Sequence, residues 1–163
     1  MFCEYHYFKN ISDTLIRRVK QVHQKIFSER WLTHILNPND IIFLAKHGEA
    51  QKIIAMAVIK EFSPEHHFNN EIDDIVPYLL DFGVIFSMQG RNIGSWFLQS
   101  IVKDVLDIFN ATSINLDLKY EDHNQDRLIK FYEKNKFIQK GYYKTPNSNN
   151  PKEYISMSYS TYL

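Results

Sequence analysis

Seven consecutive residues, Gln89-Gly90-Arg91-Asn92-Ile93-Gly94-Ser95, have the types a backbone needs to hold a phosphate. They follow an apolar run, Leu79-Leu80-Asp81-Phe82-Gly83-Val84-Ile85-Phe86, and open a helical pattern from Ile93 to about Phe109. In such a strand–turn–helix step the turn bares backbone N–H groups and the helix start adds a positive dipole end. Gly90 and Gly94 let a ligand come close, and Asn92 is among the few non-glycine residues that tolerate left-handed geometry. The expected ligand is a cofactor carrying a pyrophosphate. The turn lacks the Lys-Ser/Thr of a P-loop, so nucleoside-triphosphate chemistry is not expected. Nor is it G-x-G-x-x-G in a first βαβ unit, as dinucleotide binding would require.

The elements that must position this turn are legible from periodicity. Tyr5 to Phe8 suggests a short first strand. Ser12-Asp13 starts a helix, and Leu15, Ile16, Val19, Val22 and Ile26 recur at helical spacing. A second helical piece runs from about Glu29 to Leu36 and stops at Asn37-Pro38. Ile41 to Lys46 and Lys52 to Lys60 read as strands joined by a hairpin turn at Lys46-His47-Gly48-Glu49. Residues 62–77 are polar and acidic and suggest no element. Leu79 to Phe86 and Ser113 to Lys119 are strands, Asp126 to Asn135 is a helix, and Phe137 to Lys144 and Glu153 to Tyr159 are two closing strands. The expected architecture is α/β (α+β): a mixed central β-sheet flanked by about four helices.

The turn resembles the acyl-CoA loop of the GNAT acetyltransferase superfamily, Gln/Arg-x-x-Gly-x-Gly/Ala. Gln89 fills the first position and Gly94 the last, and Asn92 stands for the middle glycine. The five-residue step from Val84 to Gln89 is also similar, and Leu80-Asp81-Phe82-Gly83-Val84 looks most like the polyamine-acetyltransferase branch. A second segment, Phe131-Tyr132-Glu133-Lys134-Asn135-Lys136-Phe137, resembles the family's Phe-Tyr-Glu-Lys-x-Gly-Phe, with Lys136 where glycine is usual. Seven residues before the Tyr the family tends to place Asn; here Gln125 holds that position, with Asn124 one step earlier. The resemblance covers Leu79 to Leu163 well and the first half only in element order. It implies one GNAT-like domain over residues 1–163.

The resemblance implies an N-acetyltransferase that uses acetyl-CoA as co-substrate. The backbone of Gly90, Arg91, Asn92, Ile93, Gly94 and Ser95 would hold the pyrophosphate. Phe82, Gly83 and Val84 would line the pantetheine arm like an added strand, and Gln89, Asn124 and Phe131 complete the cofactor side. Direct transfer to an amine needs a neutral amine, a donor for the oxyanion and a proton for the thiolate. Tyr132 is the expected acid. The base is open. Where some relatives carry a glutamate this chain has Tyr78 or Leu80, and strand alternation aims Asp81 to the other face. Glu61, His66, His67, Glu71, Asp73 and Asp74 lie upstream within reach of an acceptor, and a water chain could serve instead. No metal is expected: His66-His67 with Glu65 and Asp73-Asp74 match no standard ligand spacing. The acidic cluster could attract a cationic amine.

Bulk properties narrow the partners. Over 163 residues, 19 Lys and Arg balance 19 Asp and Glu, which argues against a nucleic-acid binder. Hydrophobic content of 44% suits a globular chain. A lone Cys3 forms no internal disulfide, which points to a reducing compartment. The first residues lack a signal peptide's basic start and apolar core, and no apolar run is long enough for a membrane. A cytoplasmic enzyme acting on a small amine, a polyamine or a protein amino group is the expectation. The tyrosines near the end, among them Tyr142, Tyr143, Tyr154, Tyr159 and Tyr162, fit strands, with a homodimer contact or an acceptor pocket as further roles. Two rivals remain: a non-catalytic acyl-CoA-binding or interaction module, and a toxin-like acetyltransferase acting on charged tRNA, against which the neutral charge counts.

Overall fold

The computed structural model describes residues 1–28, 36–61, 75–120, 124–145, 149 and 151–162. β1 (Phe2–Tyr7) is a partly exposed edge strand. α1 (Asp13–Phe27) begins as its sequence suggests, with the Ser12 hydroxyl accepting a hydrogen bond from the Leu15 amide at 3.2 Å. β2 (Ile41–His47) and β3 (Lys52–Lys60) form the buried centre and follow from unbroken apolar runs. Their connection turns through Gly48 and Gln51, both at positive φ. β3 ends on buried Lys60, whose ammonium lies 2.7 Å from the buried Asp40 carboxylate.

β4 (Tyr78–Val84) leads through the turn to α2 (Ile93–Phe109), then β5 (Ser113–Lys119), α3 (Gln125–Lys134), β6 (Ile138–Lys144) and β7 (Glu153–Ser160). All seven strands join one sheet in the order β1-β2-β3-β4-β5-β7-β6. Every neighbouring pair is antiparallel except β4 and β5. α1 packs on one face, where Ile26 and Phe27 lie against Gly83. α2 and α3 cover the other, where Phe82 stacks on Phe97 and Phe131.

Strand and helix limits fall close to those the sequence suggests. Three α-helices are present among the described residues rather than about four. The expected second helix, about Glu29 to Leu36, lies outside the described residues except for Leu36, which is in no helix.

The end of α3 shows why glycine suits position 136. The Lys136 amide donates to the Glu133 carbonyl at 2.9 Å and the Phe137 amide to Tyr132 at 3.0 Å. That double closure requires a left-handed residue, and Lys136 has φ 69°. A side chain there costs about 1 kcal/mol. Lys136→Gly is therefore expected to raise the melting temperature by about 2–4 °C, measured by thermal unfolding.

Candidate active site

The turn from Gln89 to Ser95 has the backbone shape that its residue types suggest. Gln89 reaches back with its side-chain amide to the Val84 carbonyl at 3.0 Å, which accounts for the five-residue step between them. Gly90 and Asn92 take left-handed geometry, with φ 75° and 59°. Asn92 is the N-cap of α2, yet its side chain caps no amide, and the first turn holds no acidic residue. Among the described residues no acceptor is found for the amides of residues 90–95. A run of unspent N–H groups stands at the positive end of a 17-residue helix, with exposed Arg91 beside it, which is the geometry an anion cradle needs. Gly94 allows α2 to approach α3: a Cβ there would sit 3.3 Å from the Phe131 ring. Ser95 accepts from Asn135 at 3.2 Å, and Asn135 also donates to the Phe131 carbonyl at 2.8 Å.

Beside the cradle the sheet opens. β4 and β5 pair only at Tyr78↔Asn115 and Leu79↔Leu116. Beyond Leu79 the edge of β4 that faces β5 carries no ladder, although β3 still pairs along the other edge as far as Val84. At the point of parting Leu80 is an extra residue, since Ile59 faces Leu79 and Val58 faces Asp81. This β-bulge breaks the simple alternation. It puts Asp81 on the same face as Tyr78, with a carboxylate oxygen 3.6 Å from His23 Nε2 on α1. The alternation that aimed Asp81 to the opposite face from Tyr78 does not survive the bulge.

The two faces carry different chemistry. On the α2/α3 face Tyr132 is buried among aromatic rings: Phe82 at 6.4 Å, Phe131 at 5.1 Å and Phe137 at 5.5 Å between centroids. Burial pushes its phenol well above the usual tyrosine range. No protein partner for its hydroxyl is found among the described residues, and the oxygen is not one of the sealed, unsatisfied atoms. The phenol thus stays protonated and keeps solvent contact. On the α1 face, where β4 and β5 meet, the Tyr78 hydroxyl donates to Asp117 at 3.0 Å. The other oxygen of Asp117 accepts a short hydrogen bond from Ser156 on β7. A protonated phenol and a hydrogen-bonded carboxylate therefore occupy opposite faces of the sheet.

Of the residues the sequence singled out, Phe82, Val84, Gly94, Phe131 and Tyr132 converge around this opening. Gly83 lies on β4 with its missing side chain turned to α1, where a Cβ would fall 2.2 Å from Ile26 Cγ2. Ile93 is buried beneath the cradle, and exposed Asn124 is the N-cap of α3. Glu61 accepts a hydrogen bond from Asn39 at 3.1 Å. His66, His67, Glu71, Asp73 and Asp74 lie outside the described residues. Asn135, Asp117 and Ser156 were not legible as site residues. Their partners are 39 or 40 positions away, and nothing local marks them.

No family model matches the chain, and no curated protein matches it. Solved structures do. Over 99% of this chain and 96% of the other, it matches the ribosomal-protein-S18-alanine N-acetyltransferase of Escherichia coli, with TM-score 0.68 and 12% identity. Arabidopsis thaliana NAA60 in complex with acetyl-CoA matches over 98% and 99%, with TM-score 0.69 and 16% identity. Escherichia coli ElaA matches over 98% and 99%, with TM-score 0.68 and 13% identity. The parted parallel strands, the uncapped helix start and these matches agree: the protein has the fold of the GNAT superfamily N-acetyltransferases.

Proposed function

We propose that this protein is an acyl-CoA-dependent N-acyltransferase that moves an acetyl group directly from acetyl-CoA to a primary amine. One observation carries the reading: an uncapped helix N-terminus adjoins an unpaired strand edge, as a ligand with a pyrophosphate and an extended amide-bearing arm requires. The amides of residues 90–95 hold the pyrophosphate. The free edge of β4 takes the arm as an added strand, with Phe82 and Val84 beside it. A solved neighbour holding acetyl-CoA supports the choice of ligand.

The residues divide the proton work. Asp117, held by Tyr78 and Ser156, takes the proton that the attacking nitrogen loses, through water. As the N–C bond forms and the C–S bond breaks, Tyr132 donates its proton to the departing sulfur. A phenol raised by burial does not lose that proton beforehand. The acceptor approaches from the α1 face, where Tyr78, Asn115, Asp117 and Ser156 present polar groups. A small amine or a protein amino group fits this reading, and the E. coli neighbour named for a ribosomal-protein alanine supports the second.

Calorimetric titration with acetyl-CoA, with CoA and ATP as controls, tests the ligand. Saturable binding lost on Gly94→Trp is expected, and a folded protein that binds neither acetyl-CoA nor CoA would overturn the reading. Amines are then screened by thiol release. Asp117→Asn is expected to slow the best of them by about 10²-fold with acetyl-CoA affinity unchanged.

A further inference from the structure

A cavity of about 640 Å³, lined by none of residues 89–95, lies between α2 from Leu98 onward, the end of α3 and the end of β7. Its volume is that of a small-molecule site. Tyr78, Asp117 and Tyr132 do not line it either. Leu98, Val102 and Tyr159 supply apolar surface, the first two being core residues. Lys103, Lys134 and Lys136 line it as well, against one carboxylate, Asp107. Among the described residues none of these three ammonium groups has an ion pair.

Lys136 is one of five non-glycine residues at positive φ among the described residues, and the one of the five that lines this cavity with an ammonium group. It occupies the left-handed position at the end of α3, where glycine would carry no strain. A glycine at this position would relieve the strain. It would also remove one of three cations from an apolar-floored cavity. The same end of α3 is tied to the rest of the fold without the lysine side chain, through Asn135 to Ser95 and Gln99.

We propose that this cavity binds a small amphipathic organic anion, its acidic head among Lys103, Lys134 and Lys136 and its apolar body on Leu98, Val102 and Tyr159. The site is separate from the acyl-CoA reading and does not depend on it.

The test uses the full chain and 1-anilinonaphthalene-8-sulfonate, an aromatic anion that fluoresces on binding, titrated with excess CoA present. One saturable site is expected. The neutral analogue N-phenyl-1-naphthylamine should bind at least about tenfold more weakly, as should the anion to Lys103→Gln/Lys134→Gln, since two charge-assisted contacts are gone. Lys136→Gly should weaken the anion several-fold while raising the melting temperature, so lost folding cannot explain the loss. Equal binding of the neutral analogue, unchanged affinity in the lysine variants, no saturable site, or displacement of the probe by CoA would each overturn the proposal. If CoA fails to bind, the acyl-CoA reading falls while the lysine variants still decide this one.

Discussion

Tyr132→Phe is expected to lower the rate of thiol release by about 10²–10⁴-fold, the range a positioned proton donor contributes, with acetyl-CoA affinity unchanged. The ring packs against Phe82, Phe131 and Phe137, and phenylalanine preserves those contacts. The hydroxyl has no protein partner among the described residues, so its removal strands no buried donor or acceptor. The melting temperature should therefore hold. A variant that turns over at the native rate would remove Tyr132 from the chemistry, and one that loses acetyl-CoA would make it a binding residue. The pH profile gives a second check. The folded phenol sits above its ordinary range, so its proton is retained as pH rises through about 10, where an unperturbed tyrosine would lose it. No alkaline limb near that pH should be assignable to Tyr132.

Gly83→Ala is expected to cost about 1–3 kcal/mol, the usual penalty of overpacking. For a chain of this size, each 1 kcal/mol lowers the melting temperature by about 2–4 °C. The added carbon would fall 2.2 Å from Ile26 Cγ2 and 3.2 Å from Phe27 Cζ. Ile26 is β-branched and holds one preferred rotamer in a helix, so it cannot simply turn away; α1 must lift instead. Ile26→Ala in the same chain should recover much of the loss, and a double-mutant cycle by thermal unfolding measures the coupling. A Gly83→Ala protein as stable as the native one would show that α1 does not press on β4 at this point.

These two residues also mark how far the sequence could be read. The shape of the turn from Gln89 to Ser95 was legible because it is local: a strand, left-handed positions and a helix start within a few residues; Tyr132 was named from a resemblance, and its role is a proposal. Gln89's bond to Val84 even explains a spacing. Gly83 was legible as part of the same strand, but its reason for being glycine lies on α1, far away in sequence. The bulge at Leu80 carries no local signature, since one extra residue in an apolar run looks like any other, and it reverses the side-chain direction of Asp81. Tyr78 likewise lacks a carboxylate of its own and gains one only through the meeting of β4 and β5. Period-based reading gives the elements and their faces, and it fails where one residue shifts register or where two distant strands complete a site.

The parallel seam has a mechanical consequence. β5 and β7 are held by seven residue pairs, and β4 and β5 by two. The sheet is in effect two antiparallel halves, β1-β2-β3-β4 and β5-β7-β6, joined at a short weld. Pulled apart, or opened by thermal fluctuation, the molecule yields first at that weld, and backbone amides along the free edge of β4 exchange with solvent ahead of those in β2 and β3. A ligand laid along that edge would act as the missing strand, turning the weakest line of the protein into a continuous one.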